Sequence, residues 1–144
     1  MPKQISVEEA RKLQEQGAVY VDVRSQMEFE GGHPADAVNV PLLDHDPRSG
    51  QVMPNPDFME VMKANFPADA ALLIGCQVGG RSQRAAMMLE SIGFTNVANV
   101  RGGFSGMRDP MGRTVAPGWA DSGLPVETDA PGRTYEDMMK KAGL

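Results

Sequence analysis

The segment 71–92 constrains the fold more than any other part of the chain. It begins with four consecutive apolar residues, 71–74, and such an uninterrupted run is typical of a strand covered on both faces. A glycine-rich loop, 75–80, follows. Apolar residues at helical spacing then predict a helix over 81–92 that ends at Gly93. A strand that passes through a short loop into a helix is the repeating unit of parallel α/β sheets, so the segment predicts an α/β domain.

The chain before this segment shows the same alternation of strands and helices. Ser6 and Glu9 have the S-x-x-E spacing of a capping box, which predicts a helix over 7–16. Runs of β-branched and apolar residues predict further strands: 18–23, 37–40 and, after the segment, 97–100. Helical patterns predict two more helices: 26–30 and 57–66. The polar stretch 44–56 is predicted to be a loop, and we expect a central, mainly parallel sheet flanked by helices on both faces.

The last part of the chain departs from this alternation. Residues 105–133 contain many glycines and prolines with little periodicity, which predicts a wrapping loop or arm. Thr134 is a candidate cap for a short final helix over 135–141. At 144 residues the chain has the length of one compact domain, so we expect a single domain over residues 1–144.

Composition argues against several classes of protein. The net charge of −5, without a basic stripe, argues against a nucleic-acid binder. A single cysteine excludes an internal disulfide, and the two histidines share no short spacing with it that would suit zinc. No apolar run approaches the roughly 20 residues of a membrane span, and the N-terminal residues lack the apolar core of a signal peptide. We therefore expect a cytoplasmic protein without a metal, a cofactor, or a nucleic-acid or membrane partner.

Cys76 lies where the predicted strand 71–74 leaves the core. Ligand sites in open α/β sheets lie at such carboxyl ends of strands. Gly79 and Gly80 allow a positive φ, so that successive N–H groups can point at one atom, while the start of the next helix and Arg81 add positive charge. These groups would hold a thiolate, which predicts a nucleophilic cysteine. The alternative is a small buried hydrophobe, the commoner fate of a lone cysteine, but the position at the edge of the core favours the reactive role.

Three blocks of the sequence have an order and spacing that identify a family. They are residues 21–41, the loop Cys-Gln-Val-Gly-Gly-Arg-Ser at 76–82, and residues 99–104. In that order they resemble the D-V-R…E-[YF]…G-H-I-x-G-A-x-N-I-P, C-x-x-G-x-R-S and L-x-G-G-[YF] motifs of single-domain rhodaneses, which are sulfurtransferases with a central parallel sheet. The resemblance covers residues 5–107 and leaves 108–144 as an insertion and a C-terminal arm.

The resemblance implies a chemistry for the loop and gives catalytic roles to Cys76 and Arg81. In this family the cysteine takes a sulfane sulfur from a donor such as thiosulfate or a persulfide and becomes a persulfide. It then passes the outer sulfur to an acceptor such as cyanide or a thiol, which can belong to a protein. Backbone N–H groups of residues 77–81 would cradle the persulfide, in a binding loop with these members: Gln77, Val78, Gly79, Gly80 and Ser82. Two half-reactions through one covalent intermediate imply ping-pong kinetics.

Two departures from the family pattern lead to specific expectations. Gln77 and Val78 are neutral, where members that prefer thiosulfate often carry arginine or lysine. Because thiosulfate is a dianion, we expect modest thiosulfate activity and a different physiological donor. Met107 stands where the family commonly has a tryptophan, and we expect the segment around Trp119 to supply the missing aromatic packing.

Other polar residues near these blocks are expected to have structural roles. Asp22 and Arg24 lie at the end of the predicted strand 18–23, at the same edge of the sheet as the cysteine loop. We expect them to brace the site by an ion pair that orients the loop arginine. His33 is expected to be packed and hydrogen-bonded, whereas His45, in a polar loop, is expected to be solvated.

Two other functions stay open on the sequence alone. Thiolate phosphatases and arsenate reductases have C-x5-R loops, whereas only four residues separate Cys76 from Arg81 here. The smaller loop suits a single sulfur atom better than a tetrahedral oxyanion. A non-catalytic module that carries sulfur or binds a partner would keep both residues, and residues 105–133 would be its docking surface.

Overall fold

The computed structural model describes residues 2–144. Its strands are, in chain order, β1 (Lys3–Ile5), β2 (Val19–Asp22), β3 (His33–Pro34), β4 (Val38–Asn39), β5 (Leu43–His45), β6 (Val52–Pro54), β7 (Leu72–Gly75), β8 (Val97–Val100), β9 (Met107–Arg108), β10 (Thr114–Ala116) and β11 (Val126–Glu127). Its helices are α1 (Val7–Glu15), α2 (Gln26–Glu30), α3 (Phe58–Asn65), α4 (Gly80–Ser91) and α5 (Tyr135–Lys141). The predicted alternation of strands and helices is confirmed in the segment 71–92, where β7 leads through the loop into α4.

Five strands form the central sheet, in the order β1-β8-β7-β2-β4, and every neighbouring pair is parallel. The predicted α/β fold with a mainly parallel sheet is therefore confirmed. Asp22 lies beside Gly75, and Ile74 lies beside Asn99. Because parallel strands end at the same edge of a sheet, the residues that follow β2, β7 and β8 come together there.

The central sheet is covered on both faces, as the apolar run of β7 predicts. Leu72 and Ile74 pack in one buried cluster with α3, α4 and α5, and Leu73 packs in another with α1 and Trp119. This is the alternation of side chains along a strand. Cys76 joins the first cluster. Its side chain therefore lies on the face that α4 covers, and the start of α4 is brought next to its sulfur.

The strand β1 and the hairpin of β5 and β6 are not predicted from the sequence. β1 is only three residues long, too short for a strand pattern to be visible, and pairs with β8 so that Gln4 lies beside Asn99. The stretch 44–56, predicted to be a loop, contains most of an antiparallel hairpin of β5 and β6, so that prediction is wrong. Its strands are exposed or half-buried. A hairpin without a buried face shows no apolar alternation in its sequence.

The C-terminal part is more ordered than a wrapping arm. β9 and β10 pair with each other, and β11 pairs with β3. Trp119 is 0% exposed, and its ring meets Tyr20 edge-on with the centroids 5.4 Å apart. This segment does supply aromatic packing to the core, as predicted. Residues 108–144 are thus part of the same packed unit.

No helix within residues 2–144 has the length and hydropathy to cross a membrane.

Candidate active site

Cys76 lies at the carboxyl edge of the sheet, directly after β7, and is 2% exposed. Three groups surround its sulfur. The N–H groups of Gly79 and Ser82 donate to Sγ at 3.1 and 3.4 Å, and the Ser82 hydroxyl lies 3.3 Å from it. Gly79 precedes the first residue of α4 and has a φ of +123°, a conformation that side chains disfavour. The loop thus turns two amide donors onto one sulfur, an arrangement that stabilises negative charge there.

The loop also has amide donors that the fold does not use. Within residues 2–144, the N–H groups of Gln77, Val78, Gly80 and Arg81 have no hydrogen-bond acceptor. Two of them belong to the first turn of α4, where the helix dipole adds positive potential. These four donors therefore lie in the same loop as Cys76 and are not used by the fold.

The segment after β8 fixes the back of the loop. Phe104 N–H donates to the carbonyl of Cys76 at 2.8 Å, and Ser105 N–H donates to the carbonyl of Gln77 at 2.9 Å. The Gln77 side-chain amide also donates to the Ser105 hydroxyl. Gly103 packs so closely that a Cβ there would lie 2.3 Å from the Cys76 carbonyl oxygen. The position of Cys76 therefore depends on residues of the third sequence block.

Arg81 forms an ion pair with Glu28 of α2, and not with the residues at the end of β2 that the sequence suggests. Two guanidinium nitrogens of Arg81 donate to the two Glu28 carboxylate oxygens at 2.7 and 3.0 Å. This hydrogen bonding lowers the pKa of Glu28 to about 2 and raises the pKa of Arg81. Glu28 also accepts from the N–H and hydroxyl of Ser25, completing the capping box of α2. The expectation that Asp22 and Arg24 orient the loop arginine by an ion pair is wrong.

Asp22 and Arg24 pair with each other instead, because they lie only two residues apart at the end of β2. Both are buried, and their closest charged atoms are 2.8 Å apart. Arg24 also donates to the Gly32 carbonyl at 2.7 Å and to the Gln77 side-chain oxygen at 3.1 Å, and it lies over the Phe104 ring. Arg24 thus contacts the loop through Gln77. Each of the two arginines that contact the loop, Arg24 and Arg81, is neutralised by a carboxylate.

A chain of polar side chains, which the sequence does not predict, connects the site to β1. The Ser82 hydroxyl donates to Asn99 Oδ1 at 2.6 Å, and Asn99 Nδ2 donates to Gln4 Oε1 at 2.8 Å. Asn99 is buried. A buried asparagine within an apolar strand was the signal available in the sequence, since buried polar groups need partners. These hydrogen-bonded side chains fix the position of the Ser82 hydroxyl beside Cys76.

The two histidines do not belong to the site. His33 is packed and hydrogen-bonded, as predicted: it stacks on Phe29, and its ring nitrogens lie 2.8 and 3.1 Å from two backbone carbonyl oxygens. His45 is half-buried at the β5–β6 hairpin, and within residues 2–144 its Nδ1 is buried without a partner. The expectation of a solvated His45 is therefore wrong. In the described part of the chain, no three acidic, histidine or cysteine side chains form a group that could hold a metal.

Replacing Glu28 by glutamine should lower stability in a pH-dependent way. The folded-state pKa of Glu28 is depressed, from 4.5 to about 2. Its ion pair therefore stabilises the fold above pH 4.5, and this contribution disappears as the pH falls towards 2. The pair is partly exposed, so we expect a deficit of about 1 kcal/mol at pH 7 that shrinks at acidic pH. Glutamine preserves the capping box, and urea unfolding at several pH values measures the difference.

The matched control is Glu136→Gln, which removes the exposed pair with Lys140 on α5. We expect no measurable deficit for this variant, since both partners are solvated. A Glu28→Gln deficit that is equal at pH 7 and pH 2.5 would show that the pair does not stabilise the protein through charge.

Comparisons with known proteins cover most of the chain. The rhodanese-like domain family matches residues 6–109. The Arabidopsis thaliana protein named thiosulfate sulfurtransferase 16, chloroplastic, is 35% identical over 127 residues, which are 88% of this chain and 94% of that protein. Thiosulfate sulfurtransferase GlpE of Pseudomonas fluorescens is 34% identical, over 84% of this chain and 94% of its own. The crystal structure of Rv0390 from M. tuberculosis superposes with a TM-score of 0.71 at 28% identity, covering 88% of this chain and 98% of that chain.

Proposed function

This chain belongs to the rhodanese-like domain family, and from that premise we propose that it is a sulfurtransferase in which Cys76 carries the transferred sulfur as a persulfide. One observation carries the proposal. The Cys76 sulfur already accepts two backbone N–H groups, and the same loop holds four more that have no acceptor within residues 2–144. Such a loop has spare donors for the group that a persulfide adds, which is a second, anionic sulfur.

The proposed reaction has two balanced steps. The Cys76 thiolate attacks the outer sulfur of a donor; with thiosulfate, the S–S bond of the donor breaks and sulfite leaves with the bonding electrons. The product is a Cys76 persulfide anion, whose outer sulfur binds the free loop amides and the N-terminal end of α4. A nucleophile such as cyanide then attacks that outer sulfur. Thiocyanate forms, and Cys76 leaves as the thiolate that began the cycle.

The charges of the site disfavour thiosulfate as the preferred donor. Arg24 and Arg81 are each paired with a carboxylate, and Gln77 and Val78 add no charge. A dianion that enters the loop therefore gains less from Arg24 and Arg81 than it would from unpaired arginines. We propose that a persulfide of lower charge is the better donor, and that thiosulfate is used slowly.

The same geometry weighs against a phosphatase or arsenate reductase. An oxyanion substrate would require the guanidinium of Arg81 to be available. Both of its terminal nitrogens instead donate to the carboxylate of Glu28. The loop also has one residue fewer than a C-x5-R loop. A non-catalytic sulfur carrier keeps the same persulfide chemistry, so kinetics must separate it from an enzyme.

The test is a steady-state assay with thiosulfate and cyanide. An enzyme releases many equivalents of thiocyanate per protein molecule, and double-reciprocal plots at several cyanide concentrations are parallel. A carrier that does not turn over small donors releases at most one equivalent. In the same assay Val78→Arg, which adds a charge at the exposed edge of the loop, should raise kcat/KM for thiosulfate about tenfold. Val52→Arg on β6 adds the same charge outside the loop, and an equal gain there would refute the electrostatic explanation of donor choice.

A further inference from the structure

A cavity of about 410 Å³ adjoins the cysteine loop. Gly79 and Gly80 form the side nearest the loop, and Gln83, Arg101 and Met107 are among its other lining residues. Its size is within the range of small-molecule sites in proteins. Gly79 lines the cavity and also donates its N–H to Cys76 Sγ at 3.1 Å, so the cavity lies beside the residues that hold the sulfur.

Arg101 distinguishes this cavity from the rest of the site. Arg24 and Arg81 are committed to carboxylates, whereas Arg101 is exposed and, within residues 2–144, has no carboxylate oxygen within 4.0 Å. Glu9 lines a neighbouring cavity that Arg101 also borders, yet the two do not form an ion pair. Arg101 is therefore a cation beside the loop that is free to bind an anion.

Gln83 adds a hydrogen-bond donor to the cavity. The Gln83 side-chain oxygen accepts from the Gln4 amide at 2.5 Å, which leaves the Gln83 amide nitrogen as a donor without an acceptor in the described chain. No carboxylate lines the cavity. The side chain of Met107 supplies an apolar surface close to Gly79. The cavity thus combines Arg101 and a hydrogen-bond donor with a lining that is mostly apolar, which suits a carboxylate on a short hydrocarbon chain.

We propose that this cavity binds the carboxylate of a small thiol acceptor, with Arg101 as its main partner; the inference rests on the proposed sulfurtransferase function. Thiosulfate fits less well, because its charged group is bonded directly to the transferred sulfur and stays within the loop. A thiol with a carboxylate two or more carbons away can reach the cavity. The acceptor thiolate attacks the outer sulfur of the Cys76 persulfide, the enzyme S–S bond breaks, Cys76 leaves as a thiolate, and the acceptor becomes a persulfide.

The experiment measures discharge of protein that has first been loaded with sulfur. Intact mass follows loss of the outer sulfur after mixing with 3-mercaptopropionate, which carries a carboxylate, or with 2-mercaptoethanol, which is neutral. Arg101→Gln should slow discharge by 3-mercaptopropionate about fivefold, the effect of one partly exposed ion pair, and leave 2-mercaptoethanol unchanged. Arg101→Lys should retain most of the wild-type rate. Each thiol is compared with itself across variants, so differences in thiol reactivity cancel.

Arg84→Gln is the matched control, since Arg84 is an exposed arginine of α4 outside the cavity lining. It should leave both rates unchanged. The inference is overturned if Arg101→Gln slows the two thiols equally or slows neither. It is also overturned if this variant slows loading by thiosulfate but not discharge, because the cavity would then serve the donor. Failure of the wild-type protein to load any sulfur would instead refute the proposed function.

Discussion

Replacing Gly103 by alanine is expected to lower kcat/KM for sulfur transfer about 100-fold. A Cβ at this position would lie 2.3 Å from the Cys76 carbonyl oxygen and 2.8 Å from that of Gln77. Both obstacles are backbone atoms, so the loop itself must move. A displacement of about 1 Å at reacting groups is enough for a loss of this size. Steady-state assays of the folded variant measure the effect.

Gly112→Ala separates the clash from the general effect of adding a side chain at a left-handed glycine. Gly112 also has a positive φ, +83°, but a Cβ there meets no atom within 4 Å. This variant carries a similar backbone strain in the β9–β10 hairpin, and we expect its activity to equal that of the wild type. If the two variants lose activity to the same extent, the close packing of Gly103 on the loop is not what positions Cys76.

Replacing Trp119 by alanine should lower the free energy of unfolding by about 3–5 kcal/mol. The ring is fully buried against Tyr20, and its indole N–H donates to the Pro125 carbonyl at 2.7 Å. Removing it leaves a cavity in the cluster that covers one face of the sheet, and it leaves the Pro125 carbonyl without this partner. Urea unfolding followed by circular dichroism measures the loss.

Met111→Ala is the matched control for Trp119→Ala, because Met111 lies in the same C-terminal part but is 80% exposed. We expect its stability to change by less than about 0.5 kcal/mol. A small loss for Trp119→Ala would mean that residues 108–144 are a separable arm. A large loss would argue against a detachable docking segment, since removing the segment would then unfold the core.

The sequence predicts those parts of the fold where a local pattern has one physical explanation. The apolar run 71–74 is followed by glycines and by apolar residues at helical spacing, and this order predicts a buried strand that leads through a loop into a helix. Ser6 and Glu9 form the predicted capping box, because such a box depends only on residues three positions apart. The packing of Trp119 was expected from the family resemblance, since the family commonly has a tryptophan where this chain has Met107.

The partners of charged groups are harder to predict, because they depend on how distant elements pack. Arg81 could have paired with Asp22 or with Glu28, which both lie before the loop in the sequence. Only the proximity of α2 to the start of α4 selects Glu28. Gln4 reaches Asn99 for a similar reason, since β1 pairs with β8 across most of the chain length. Neither contact has a signature within a short stretch of sequence.

The central claim is that Cys76 carries a transferable sulfur, and intact mass tests it most directly. Reduced protein is incubated with thiosulfate or with cysteine persulfide, and Cys76→Ser is treated in parallel. Because the chain has one cysteine, a persulfide can form at one position only. The account predicts a gain of about 32 Da, the mass of one sulfur atom, which cyanide removes and which the serine variant lacks. If neither donor adds sulfur, or if Cys76→Ser gains the same mass, the account is contradicted.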